Sequence, residues 1–184
     1  MSSVNHYYGF SLTELLLSLA ILAVVASLAS SSFSPLIIRH SINLQVAELR
    51  RTLELARSLA VEQNKTWKVC MTDAAASCVR ENGQRLMVFS DDNNNHQHDL
   101  EETLYRDVLL SPLAIKLSAS GRAYIRFKAT GEAMDSGNFL VCSNDQSVDY
   151  GRQTIIYHSG RIRLSRDTNG DGYDDKGGKK IACD

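Results

Sequence analysis

The sequence predicts an α+β protein in which one long N-terminal helix packs on an antiparallel β-sheet head. Three observations predict it. No charged residue occurs between Glu14 and Arg39, a run long enough to cross a hydrocarbon core as a helix. From Ile42 onward, apolar residues recur at three- and four-residue steps, the mark of a helix with one buried face. Beyond Thr66 the pattern shortens to strand-length segments separated by glycine-bearing breaks.

The front of the helix carries one anomaly. Glu14 is a lone carboxylate inside an apolar run, and such a group marks a function with a partner. The segment does not read as a secretory signal peptide. It lacks a basic n-region and a small-residue cleavage site, and its apolar stretch is too long.

Gly9-Phe10-Ser11-Leu12-Thr13-Glu14 followed by an apolar helix resembles the processing and assembly motif of type IV pilins and pseudopilins. The resemblance implies that a prepilin peptidase cuts between Gly9 and Phe10 and that the new N-terminal phenylalanine is methylated. It also implies that Glu14 pairs with the N-terminal amine of a neighbouring subunit. An ammonium and a carboxylate neutralise each other in a dry filament core, and removing either strands the other. The leader contains no Lys or Arg, a departure from the family habit.

On this reading residues 1–9 are the leader, 10–38 the transmembrane and filament-core helix, and 39–184 the periplasmic or extracellular head. The implied architecture is the pilin fold. The subunit is expected as a single-pass inner-membrane protein with its head in the periplasm, then in the pilus fibre at the cell surface. Its partners are other major and minor pilins, bound through the N-terminal helix.

The back of the helix buries Ile42, Val46, Leu49, Leu53, Ala56 and Ala60, with Glu48, Arg50, Arg51, Glu54 and Arg57 between them. Pro35 and Ser30-Ser31-Ser32 mark the place for a bend or local unwinding, and Asn64 and Lys65 end the helix. The predicted strands are Trp67–Met71, Leu86–Phe89, Thr103–Leu109, Ile115–Leu117, Tyr124–Lys128, Asn138–Cys142, Thr154–Tyr157 and Arg161–Ser165. Their order, with an acidic Asp/Asn loop after Phe89 and Gly160-Arg161-Ile162-Arg163 near the end, is similar to the GspH/FimT/FimU group of minor pilins and pseudopilins.

The 184 residues carry a formal net charge of -1, which argues against bulk nucleic-acid binding and leaves only a local patch. The four cysteines suit disulfides outside the cytoplasm. Four allow three connectivities. The short loop between Cys70 and Cys78 favours that pair, with Cys142 and Cys183 tying down the C-terminal tail. A zinc site is disfavoured because no C-x-x-C pair is present.

Arg161 and Arg163 fall on one face of an extended strand, about 7 Å apart. With Arg166, Lys179 and Lys180 they form the candidate DNA-binding set. Gly-Arg-x-Arg resembles the motif with which FimT-like pilins hold DNA during natural transformation, and guanidinium forks suit phosphate oxygens. The alternative is a solvated strand whose arginines pair with Asp167, Asp171 or Asp174.

Asp167, Asn169 and Asp171 reproduce the opening of a calcium loop, without the distal glutamate. An Asx- and Gly-rich turn is the competing reading. Residues 91–99 read as a solvent loop, with His96 and His98 insufficient for a metal. Neither a nucleophile elbow, a phosphate loop nor a zinc-protease motif is present, so an enzyme is not expected. The expected function is a minor type IV pilin, near the tip of the fibre and binding double-stranded DNA. The alternatives are an assembly-priming FimU-like subunit and a GspH-like pseudopilin of type II secretion.

Overall fold

The computed structural model describes residues 11–93, 95–144 and 149–183, and in residues 28–32 the backbone alone. The leader and the Gly9–Phe10 junction lie outside the described residues. Helix α1 (Leu12–Glu62) opens on Ser11, whose hydroxyl accepts the Glu14 amide at 3.2 Å. Ser11 is therefore an N-cap, and Ser11-Leu12-Thr13-Glu14 has the spacing of a capping box. The helix continues unbroken through the serine run and Pro35, so the expected unwinding does not occur. At the far end the Lys65 amide donates to the Ala60 carbonyl at 3.3 Å and Asn64 has φ 51°. That is a Schellman-type stop, with asparagine in the left-handed position.

The chain divides into two units, Met1–Ile37 and Ile38–Asp184. In the first, the described apolar side chains from Leu12 to Val25 are exposed, Leu17 at 64% and Leu22 at 63%. No helix among the described residues is long and apolar enough to cross a membrane. The side chains of residues 28–32, in the middle of the apolar run, are not among those described.

In the second unit Ile42, Val46, Leu49, Leu53, Ala56 and Ala60 are all fully buried, the face expected from their spacing. They share one core with residues from two antiparallel sheets. The first sheet runs β2 (Cys78–Val79), β1 (Trp67–Thr72), β3 (Arg85–Phe89), β4 (Leu104–Leu109), with β6 (Tyr124–Phe127) also paired to β1. The second runs β5 (Ala114–Ser118), β7 (Gly137–Cys142), β8 (Arg152–Ile156), β9 (Ile162–Leu164). A small hairpin, β10 (Asp175–Lys176) and β11 (Lys179–Lys180), follows. Trp67, Val69 and Met71 of β1 and Phe139 and Val141 of β7 meet the helix residues in this core.

β1 departs from the one-buried-face expectation, because all six of its residues are buried. Its second face, at Cys70, packs with Met87, Phe89 and Tyr124 into a separate small cluster touching Cys78. The polar loop after β3 also contributes buried groups there, so residues 91–99 are not wholly a solvent loop.

Disulfides join Cys70 to Cys78 and Cys142 to Cys183. Gly151 makes room for the second bridge. A Cβ there would stand 2.7 Å from the Cys183 sulfur and 3.0 Å from that of Cys142.

Candidate functional site

Three of the predicted arginines converge with two that were not predicted. Arg161, Arg163 and Arg166 line a groove of about 360 Å³ together with Arg50 of α1 and Arg152 of β8. β9 places them by alternation. Arg161 and Arg163 are exposed, while Ile162 and Leu164 between them pack on the core. Gly160 aims the strand. It sits at φ 73°, and a Cβ would fall 1.9 Å from the Gly131 carbonyl, so the glycine before Arg161 is a steric requirement of the β8–β9 turn. The neighbouring turn at Gly131 is tied to the helix, because Arg57 donates to that carbonyl at 2.9 Å.

The acidic neighbours are occupied elsewhere. Asp174 accepts from Arg152 Nε at 2.8 Å and from the Ser165 hydroxyl at 2.5 Å. Arg152 also reaches Asn43 at 3.0 Å, so it is a structural member of the groove. Asp167 accepts the Gly170 and Gly172 amides at 2.7 and 2.8 Å. These amides, Gly172 first, hold its carboxyl below the usual carboxylate range. Asp171 accepts from the Tyr173 amide at 2.8 Å. Arg50 pairs with Glu54 at 2.7 Å. Among the described residues, the side chains of Arg161, Arg163 and Arg166 have no hydrogen-bond or ion-pair partner. Lys179 and Lys180 do not line the groove. They lie on the β10–β11 hairpin, where Lys180 pairs with Asp149 and stacks on Tyr173 at 3.7 Å.

The calcium candidate has a different outcome. Asp167, Asn169 and Asp171 direct their oxygens at amides of their own loop, and Asn169 Nδ2 donates to Asp171 at 2.9 Å. Among the described residues no group of three His, Cys, Asp or Glu side chains could hold a metal ion. The loop is built as an Asx- and Gly-rich turn, with Gly170 and Gly172 both at positive φ.

Glu14 is exposed, with its amide engaged by the Ser11 cap. Its carboxylate makes no hydrogen bond or ion pair with the described residues.

Sequence reasoning missed a second polar assembly. Lys68 of β1 is 1% exposed at its side chain and contacts Asp91, at 3%. His96 Nδ1 lies 2.8 Å from Lys68 Nζ and 3.3 Å from Asp91 Oδ2, while its Nε2 meets the Tyr124 hydroxyl at 2.9 Å. Nearby, Arg126 holds Asp135 through two hydrogen bonds, at 2.8 and 3.0 Å. Burial, then the charge of Arg126, lowers the Lys68 pKa to about 8. Burial, then the charge of Lys68, lowers that of His96. The available signal was Lys68 itself, a cation near the start of a largely apolar strand.

The sequence matches the family model described as Type II transport protein GspH over residues 45–173. It also matches the prokaryotic N-terminal methylation motif over residues 4–30. Among solved structures it is similar to the type IV minor pilin FimU of Pseudomonas aeruginosa, at 22% identity and TM-score 0.51 over 67% of this chain and 92% of that one. It is also similar to the minor pseudopilin EpsH from the type 2 secretion system of Vibrio cholerae, at 14% identity and TM-score 0.50 over 67% and 95%. At these identities the likeness shows the fold, an N-terminal helix packed on antiparallel sheets. Curated proteins return no significant match.

Proposed function

The chain belongs to the GspH family, and from that premise we propose that it is a minor type IV pilin whose head binds double-stranded DNA through the arginine groove. A minor pilin or pseudopilin role follows from the family and from the methylation motif. The step to DNA rests on one observation: Arg161, Arg163 and Arg166 line a common groove without acidic partners among the described residues. Guanidinium groups so placed offer planar donor forks to phosphate oxygens, giving affinity without sequence preference. This supports capture of environmental DNA by a subunit near the fibre tip.

Assembly comes first on this reading. The peptidase cuts after Gly9, and the new terminus at Phe10 is methylated. The uncharged segment before Arg39 holds the subunit in the inner membrane until Glu14 takes the amine of a neighbouring pilin. The head then faces the periplasm and, after assembly, the cell surface.

The test is a DNA titration of the head, from Ile38 onward, at two salt concentrations, alongside the Arg161→Gln, Arg163→Gln double variant. Binding should weaken with salt as counterions are released and disappear in the variant. Salt-insensitive binding, or none by the folded and disulfide-bonded head, would refute the DNA reading. A second reading, a pseudopilin of type II secretion, is favoured by the family description and by the likeness to EpsH. It predicts a head that binds other secretion components and ignores DNA.

A further inference from the structure

The Lys68–Asp91 pair has the chemistry of a covalent cross-link. Lys68 lies in the body of β1, with Phe89 of β3 and Arg126 of β6 as its pairing partners on either side. Its Nζ sits above the rings of Tyr124 and Phe89, 4.6 and 5.8 Å from their centroids. Asp91, just past the end of β3, is in direct contact with that nitrogen, and both side chains are almost wholly removed from solvent. The second carboxylate oxygen of Asp91, Oδ1, is buried without a hydrogen-bond partner. A carboxylate left half-satisfied beside an ammonium is a costly way to occupy an aromatic-walled site.

We propose that Lys68 and Asp91 are joined by an intramolecular amide bond between Nζ and Cγ. The reaction is a condensation and needs no oxidant or co-substrate. His96 Nδ1, within reach of both reacting groups, takes a proton from Nζ and passes it to Oδ2. The freed lone pair attacks Cγ, the Cγ–Oδ2 bond breaks, and the oxygen leaves as water with a second proton from nitrogen. The Tyr124 hydroxyl holds the far side of the imidazole and so orients the shuttle. Burial that lowers the Lys68 pKa to about 8 brings its neutral, nucleophilic form within reach near neutral pH.

The product exchanges two buried charges for one neutral amide and ties the loop after β3 to the centre of its sheet. Unlike the adjacent Cys70–Cys78 bridge, it would survive reduction.

The test is mass spectrometry of the full-length chain, purified in detergent, reduced and denatured, then digested. Peptide mapping makes the result independent of processing at Gly9. The expected result is one species in which the peptide containing Lys68 is joined to that containing Asp91, lighter than their sum by one water. Fragmentation should place the junction on those two side chains. Separate peptides of full mass would overturn the proposal. So would the loss of water from the Asp91 peptide alone, which signifies a cyclic imide. Because the wild-type chain decides the matter, the result does not depend on any variant folding. Lys68→Arg, where it folds, should yield only the separate peptides.

Discussion

The two halves of helix α1 obey opposite rules. From Leu12 to Val25 the described apolar side chains are exposed, whereas from Ile42 to Ala60 the spaced apolar residues are fully buried. The back half meets its need for burial within its own chain, against β1 and the second sheet. The front half does not, and among the described residues the Glu14 carboxylate has no partner; on the proposed function, neighbouring subunits meet both needs. On that reading the helix joins a part that stabilises the head to a part that serves assembly, and substitutions in the two halves should have separable effects.

The sharpest test of that division is Glu14→Ala. It should leave the head's melting temperature unchanged and the precursor processed, yet nearly abolish incorporation into fibres, as expected when a buried charge loses its partner at about 3–5 kcal/mol. Fractionating pili from cells would show this, and normal incorporation would defeat the pairing role. Next comes Leu53→Ala in the buried half, expected to destabilise the isolated head by about 2–5 kcal/mol. Leu19→Ala in the exposed half should leave the head's stability unchanged in the full-length chain. Equal effects in denaturant titrations would erase the distinction.

A smaller loss, about 2–4 kcal/mol, is expected from Cys142→Ser with Cys183→Ser, since that bridge closes a separation of 41 residues. It should appear in the head's unfolding and leave fibre assembly intact wherever the head still folds. The smallest effect is at the helix stop. Asn64→Gly should stabilise the head by less than about 1 kcal/mol, because glycine adopts the left-handed conformation without a Cβ penalty. Thermal unfolding measures it, and a marked loss would mean that the Asn64 side chain matters more than its backbone.

The legible features were those with local causes. Helical spacing identified Ile42 through Ala60 because burial follows the 3.6-residue turn. The alternation in Arg161-Ile162-Arg163-Leu164 sorted exposed from packed side chains because a strand turns its residues to opposite faces. All eight expected strands occur, with ends shifted by a residue or two. β2, β10 and β11, each two residues long, carry no periodicity and were not visible. Arg50 and Arg152 were also hidden, because their place in the groove depends on α1, β8 and β9 meeting far apart in sequence. The same holds for Asp174, whose partner proved to be Arg152 instead of the β9 arginines.

The sequence by itself determined the long two-part helix, the strand-rich head and the isolated carboxylate near the helix start, since each follows from spacing along one stretch of chain. Only the tertiary structure decided which charges are spent and which are free. It placed Lys68 and Asp91 together in an aromatic-walled interior and left Arg161, Arg163 and Arg166 facing an open groove. The reason is physical: an ion's cost and its usefulness depend on what surrounds it in space, and that environment comes from strands and loops brought together by folding.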